Sequence, residues 1–171
     1  MILPQVRDPR LVTVRRGGSL TDADHRLLAV WAAACAEHVL VLFETGCPGD
    51  TRPRDAIATA RAWARGEVGM MQSRGAGGHA MGAARLLTGP ARWAAYAAGQ
   101  AACVAHVAEH DLGAPAYAIK AVRAATPLGD SDAAGARECG WQRRQLPQRV
   151  HALVLEDQQR RNHICWSVFD G

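Results

Sequence analysis

Aromatic residues and lysine are scarce in this sequence. Phenylalanine, tryptophan and tyrosine make up 5% of the 171 residues, and Lys120 is the only lysine. β-Sheets favour aromatic and β-branched side chains, whereas alanine, which supplies about a fifth of this chain, is the strongest helix former. The scarcity of aromatic residues therefore argues against a sheet and predicts an all-α fold.

The sequence also lacks a long apolar run free of polar residues. Its most apolar segment, residues 27–43, carries Glu37 and His38 near the middle, so it predicts a buried core helix and not a membrane span. The first residues, Met-Ile-Leu-Pro, lack the charged and apolar regions of a signal peptide. The five cysteines are odd in number and cannot all pair internally. We therefore expect a cytoplasmic protein with reduced thiols and no membrane partner.

Three common fingerprints of enzymes are missing: the Gly-x-Ser-x-Gly elbow, the phosphate-binding Gly-x-x-x-x-Gly-Lys loop and the dinucleotide-binding Gly-x-Gly-x-x-Gly turn. The net charge of +4 reflects arginine almost alone, and the strongest basic clusters are pairs such as Arg15-Arg16. Segments that bind nucleic acids usually carry longer basic runs or interleaved aromatic side chains. The sequence therefore predicts neither a nucleic-acid partner nor a cofactor.

Helix start and stop signals divide the chain into an extended N-terminal segment, residues 1–20, and one helical domain, residues 21–171. Seven helices are predicted, at residues 21–44, 54–65, 70–87, 90–111, 114–125, 131–145 and 147–163. The third contains several glycines, which indicate either two helical pieces or a close approach to another backbone. Connections this short are typical of a compact single-domain bundle.

The second predicted helix combines clear end signals with many arginines. Thr51 can act as its N-cap and Gly66 can end it. Arg54 and Arg61 lie close to its apolar stripe, so their guanidinium groups need carboxylate partners. We expect those partners among four acidic residues: Asp24, Glu37, Glu44 and Asp55. Such an arrangement is either structural or an anion-binding site.

His106 and His110 belong to the one textual match to a catalytic motif, the His-x-x-Glu-His order of inverted zinc peptidases. On a continuous helix the two imidazoles share a face and, with Cys103 on the turn before, can bind one zinc ion. The same face can equally be packed and hydrogen-bonded, because a peptidase needs a further acidic ligand and a substrate cleft. We predict no metal site, and name these three residues as its ligands if one exists.

Other polar residues fall at apolar positions of the predicted helices, namely His38, His79, Tyr96 and Gln100. Each is most simply a core or boundary side chain with its hydrogen bonds satisfied. If their helices meet, however, they line one polar pocket with Arg54 or Arg61 at its edge, which suits an anionic small molecule or acid/base chemistry. Four tryptophans are predicted as core anchors: Trp63, Trp93, Trp141 and Trp166.

Five segments resemble one known family: residues 24–28, 35–40, 51–67, 101–117 and 141–166. They make the chain similar to the all-helical actinobacterial proteins of the Imm-5-like immunity family, from about residue 8 to the end. The resemblance implies a binding protein that neutralises a partner toxin. It implies no particular catalytic residue.

Two hypotheses of function follow. In the first, a charged patch binds the toxin, and this patch is either Arg52 with Arg54 or the acidic loop at residues 44–50. In the second, an enzyme or small-molecule binder with a biosynthetic or self-resistance role uses a pocket between helices. The candidate binding residues are the polar and charged side chains Glu37, His38, Arg52, Arg54, Arg61, His79, Gln100, His106 and His110.

Overall fold

Helices account for most of the chain, as predicted. A computed structural model describes residues 2–170, and this range contains eight α-helices and no β-strand. The helices are α1 (Asp22–His38), α2 (Val41–Glu44), α3 (Arg52–Arg65), α4 (Met70–Ala83), α5 (Gly89–Cys103), α6 (Gly113–Ala125), α7 (Ser131–Arg144) and α8 (Gln148–Arg161). Short 3-10 turns lie at Pro9–Leu11, Val14–Arg16, Ala84–Leu86, Ala108–Leu112, Leu128–Asp130 and Asn162–Cys165.

Alanine forms most of the interior. Helices α5 and α6 lie at the centre, and α5 packs against α1, α3, α4 and α6. Six alanines of α5 are at most 1% exposed: Ala94, Ala95, Ala97, Ala98, Ala101 and Ala102. Larger side chains, such as those of Leu28, Trp31 and Phe43, complete the core. A methyl group lets neighbouring helix axes come close together, so the small residues explain the close helix contacts. Within residues 2–170 no helix is long and apolar enough to cross a membrane.

The predicted first helix is interrupted before its end. Thr21 caps α1 as expected, because its hydroxyl accepts a hydrogen bond from the backbone N–H of Asp24 at 3.1 Å. The helix stops at His38, where the N–H of Leu40 donates to the carbonyl of Glu37 at 3.1 Å. A bond to the third residue before tightens the backbone, so the α-helical pattern is interrupted and the one-turn helix α2 follows as a separate element.

Helix α3 ends where predicted, but it begins two residues earlier and its N-terminus is bound by a different side chain. It ends at Gly66, whose φ of 81° is the left-handed conformation that glycine adopts without strain. Thr51 precedes the helix, but its hydroxyl donates to the Asp55 carboxylate at 2.8 Å and accepts no backbone N–H. Thr51 thus occupies the predicted N-cap position, but its side chain does not cap the helix, and the N–H of Arg52 is bound instead by the Asp50 carboxylate at 3.1 Å.

The predicted fourth helix, residues 90–111, ends eight residues early. Helix α5 stops at Cys103, a turn follows, and residues 108–112 form a 3-10 turn. The carbonyl of Glu109 accepts a hydrogen bond from the Arg161 guanidinium at 2.7 Å and is thus withdrawn from α-helical pairing. The prediction that His106 and His110 share one helical face is therefore wrong, because the two residues do not lie on one α-helix.

The N-terminal segment packs onto the helices. Over residues 2–20 it contains two 3-10 turns and a single parallel bridge between Thr13 and Leu20. Leu11 and Leu20 are 0% and 3% exposed and belong to the main core. Arg7 binds Glu109, which is fully buried, with its Nε 3.0 Å from both carboxylate oxygens. Apolar burial and an ion pair thus fix this segment to the centre of the molecule.

A buried ion cluster holds the C-terminal helix in place. Arg161 is 1% exposed, and its Nε lies 2.9 Å from both carboxylate oxygens of Asp157. Its Nη2 also donates to Asp111 at 2.7 Å, and both carboxylates are fully buried. One guanidinium thus serves two acidic side chains and, as described above, the carbonyl of Glu109. Because Asp111 and Glu109 precede α6, the cluster joins α8 to the central helices.

One glycine of α4, Gly77, makes a close contact with α5, whereas other glycines of this helix lie at open positions. A Cβ atom on Gly77 would lie 2.7 Å from the carbonyl oxygen of Gly99 and 2.8 Å from the Sγ of Cys103, both on α5. A Cβ on Gly75 or Gly78 would meet no atom within 4 Å. Of the two alternatives left open by the sequence, close backbone approach is thus realised at Gly77.

Gly77→Ala is expected to lower the free energy of unfolding by about 1–3 kcal/mol, because the added methyl forces α4 away from α5. Gly75→Ala, two residues earlier on the same helix, should raise it by up to about 1 kcal/mol, because alanine favours the helix and meets no neighbour. Urea denaturation of both variants measures the two changes. Stabilisation by both substitutions would show that the contact at Gly77 has room for a methyl group.

Candidate functional site

The arginines of α3 are all engaged in ion pairs. Arg61 binds both carboxylate oxygens of Glu37 at 2.6 Å, and Arg54 binds Glu44 at 2.6 Å. Arg52 binds Asp50 at 2.5 Å. The basic patch and the acidic loop at residues 44–50, weighed as alternative toxin-binding surfaces, thus neutralise each other. These pairs are partly exposed, so each contributes little to stability.

The predicted polar residues of α1 and α4 lie apart. The His38 ring stacks on Trp141, with centroids 3.6 Å apart, and its Nδ1 is 2.8 Å from the Glu138 carboxylate. His79 is on the exposed side of α4. The structure therefore does not bring these two histidines into one pocket.

Gln100 and His110 form a buried pair. The Nδ1 of His110 is 2.7 Å from the Oε1 of Gln100 and donates to it, since an amide oxygen only accepts. Burial lowers the pKa of His110 to about 4, so its imidazole is neutral at physiological pH. Within residues 2–170 no cluster of three or more His, Cys, Asp and Glu side chains is suited to holding a metal ion. His110 thus has a structural partner, whereas His106 lies in a separate cleft that also contains arginines.

A partly exposed group of aromatic side chains forms a second feature, which the sequence interpretation missed. We define the aromatic face as Arg92, Trp93, Tyr96, Tyr117, Lys120 and Trp166. Its rings contact one another with centroid distances of 5.1–6.2 Å. The Lys120 ammonium lies 4.2 Å from the Trp93 ring centroid and 3.9 Å from that of Trp166. The only lysine of the chain is therefore held between two indole rings by cation–π contacts.

Trp166 is held on this face by an unusual backbone. Its φ is 59° and that of Ser167 is 53°, so two consecutive residues with side chains adopt the left-handed conformation. Each such residue costs on the order of 1 kcal/mol. The conformation is fixed by the Ser167 N–H, which donates to the Asn162 carbonyl at 2.8 Å, and by Phe169, which is buried. Trp166 itself is 44% exposed, so its predicted role as a core anchor is wrong.

The sequence contains a partial signal for this face. Trp93 and Tyr96 are three apart on α5, and Tyr117 and Lys120 are three apart on α6, spacings that place each pair on one side of its helix. The spacing does not predict the outward position of Trp166. That position follows from the backbone conformation after α8.

The fold and surface describe a small all-α protein that presents an aromatic, positively charged face. The model of one protein family, described as "Imm-5 like putative immunity protein", matches residues 18–149, which is most of the chain. The chain therefore belongs to this family. Comparison with curated proteins and with solved structures found no match.

Proposed function

We propose that this protein neutralises a toxin by binding it through the aromatic face. Membership of the immunity-protein family supports a protein partner. The observation that carries the choice of surface is a cluster of partly exposed aromatic rings beside Lys120: Trp93, Tyr96, Tyr117 and the exposed Trp166. Tryptophan, tyrosine and arginine are the residues that most often dominate the free energy of protein association.

The rigidity of the face supports the same proposal. Stacked rings and a fixed backbone lose little conformational freedom when a partner binds, so more of the contact energy remains as affinity. The left-handed conformation at Trp166 and Ser167 exposes an indole that would be more stable in the core. Backbone strain of this kind is commonly found where a side chain serves binding.

The charges indicate what the partner presents. Lys120 forms no ion pair with a described carboxylate, and Arg92 donates to the carbonyl of Leu87 at 3.3 Å and to no described acidic side chain. Both cations therefore retain their charge for a partner. We infer that the toxin contributes an apolar segment flanked by Asp or Glu, and that the net charge of +4 speeds its association.

Growth rescue tests this function. Each protein encoded next to the gene for this chain would be produced alone in a test bacterium, and those that stop growth would be produced again together with the chain. We expect wild type to restore growth against one of them and to form a complex with it in solution. Failure to neutralise any growth-inhibiting neighbour would contradict the proposed function.

The location of the binding surface is tested with the complex obtained in that way. Trp166→Ala is expected to weaken binding by about 30-fold, the effect of removing a side chain that dominates an interface. Val30→Ala, which shortens an exposed apolar side chain on α1, serves as the control. Equal affinities of the two variants, measured by isothermal titration calorimetry, would place the toxin on another surface.

A further inference from the structure

A cavity of about 400 Å³ lies between the N-terminal segment, α1 and the turn that joins α3 to α4. We call it the basic cleft, because four of its lining side chains are arginines: Arg7, Arg15, Arg16 and Arg26. Asp22 is its one acidic lining residue. The cleft is distinct from the aromatic face, with which it shares no residue.

Two of the four arginines keep their charge unpaired. Arg7 binds Glu109 and Arg15 binds Asp22, whereas Arg16 and Arg26 form no ion pair with a described carboxylate. This differs from α3, where the arginines pair with acidic neighbours. Unpaired guanidinium groups that converge on a concave site are the usual means of binding a multiply charged anion.

The opposite wall adds to the positive potential. Helix α4 begins there, with Gly69 and Met70 lining the cleft, and no side chain caps its N-terminus. The partial positive charge of a helix N-terminus favours the same ligands as the arginines.

His106 lies within the positive potential of the cleft. It lines the cleft, and its Nδ1 is buried with no hydrogen-bond partner among the described residues. Burial lowers the pKa of His106, and the positive charges of Arg74, Arg16 and Arg7 lower it further. His106 was the only one of the predicted binding residues that the structure places in the cleft.

One side of the cleft is apolar. The Trp63 ring lines it and contacts the His25 ring edge to face, with centroids 4.8 Å apart. The Nε2 of His25 is fixed by a 2.7 Å hydrogen bond to the carbonyl of Val104, so this wall is held in place. Val107 extends the apolar surface. Small-molecule sites combine such surfaces with a few convergent polar groups.

We propose that the basic cleft binds a small phosphate monoester that carries an apolar or aromatic group. The phosphate lies between Arg16, Arg26 and the start of α4, and the apolar group lies against Trp63. A dianion matches two unpaired guanidinium groups, whereas a carboxylate would leave one of them without a counter-charge. The cavity volume is within the range usual for small-molecule sites.

Isothermal titration calorimetry with phenyl phosphate tests the proposal, with benzoate as the monoanionic comparison and inorganic phosphate as the comparison without an apolar group. We expect phenyl phosphate to bind about tenfold more tightly than either. Arg16→Gln and Arg26→Gln should each weaken its binding by about tenfold or more, because each removes a charge-assisted hydrogen-bond donor. Both side chains are exposed, so the folds should persist.

Two further variants complete the design. Arg137→Gln removes an exposed arginine on α7 that has no described ion pair, and it should bind like wild type. Trp63→Leu should weaken binding of phenyl phosphate but not of inorganic phosphate. Equal binding by the Arg16, Arg26 and Arg137 variants, or benzoate binding as tight as that of phenyl phosphate, would overturn the proposal. Neither outcome bears on toxin neutralisation, which growth rescue measures separately.

Discussion

Replacing Arg161 with methionine is expected to lower the free energy of unfolding by about 3–5 kcal/mol. The substitution keeps the apolar stem but removes the guanidinium that binds Asp111 and Asp157, both fully buried. Asp111 would then be buried without a cation among the described residues, Asp157 would keep only its ion pair with Arg160, and the Glu109 carbonyl would lose its donor. Urea denaturation followed by circular dichroism measures the loss.

A surface pair provides the matched control. Arg149 binds Asp24 at 2.9 Å, but the Arg149 side chain is 64% exposed. Arg149→Met should therefore cost far less than Arg161→Met, because water screens the exposed pair. Similar losses in both variants would show that the buried cluster gives the fold no special stability.

The pH dependence of the Arg161 variant offers a second check. Burial raises the pKa of Asp111 to about 7 even with Arg161 present, and loss of the cation would raise it further. A protonated Asp111 needs no cation, so the loss of stability should be smaller at pH 5.5 than at pH 8. A loss that does not change with pH would contradict this account of Asp111.

Acidification from pH 7 to pH 4.5 is expected to remove about 2 kcal/mol of stability through His110 alone. The pKa of this residue is about 4 in the folded protein, against 6.5 in the unfolded chain. Between these values only the unfolded state binds the proton. The stabilising contribution is therefore complete above pH 6.5 and declines as the pH falls towards 4.

His110→Gln isolates this contribution, because glutamine keeps a polar amide beside Gln100 and does not titrate in this range. The difference in unfolding free energy between wild type and variant should shift by about 2 kcal/mol against wild type between pH 7 and pH 4.5. His79→Gln, on the exposed side of α4, controls for the loss of a histidine as such. Parallel pH profiles for wild type and His110→Gln would refute the proposed role of His110.

Local signals in the sequence were sufficient for most helices. Gly66 ends α3 where predicted, because a left-handed cap depends on one residue and its nearest neighbours. The end of α5 was not predictable in this way. Its apolar pattern continues past Cys103, where the helix stops, and the 3-10 turn that follows is held by Arg161, which is more than fifty residues away in sequence and binds the Glu109 carbonyl.

The candidate sites likewise depend on contacts between residues that are far apart in sequence. Arg54 and Arg61 stood out by their spacing on α3, but they are engaged with Glu44 and Glu37. Arg16 and Arg26 carried no comparable pattern, since they meet only when the N-terminal segment folds back onto α1. The residue types therefore indicated that arginines could bind an anion. Tertiary contacts determine which arginines are unpaired and so available to bind it.

The alanine interior has a consequence for how this fold achieves order. Burying an alanine restricts no side-chain torsion, whereas burying a leucine or methionine costs rotational freedom. The central helices can therefore settle into one arrangement with little loss of side-chain entropy. At the contact between α4 and α5 a methyl group on Gly77 or Gly99 would collide with the other helix, so larger residues are excluded there. We therefore expect substitutions that alter what this protein recognises, without loss of the fold, to lie on its outer surface.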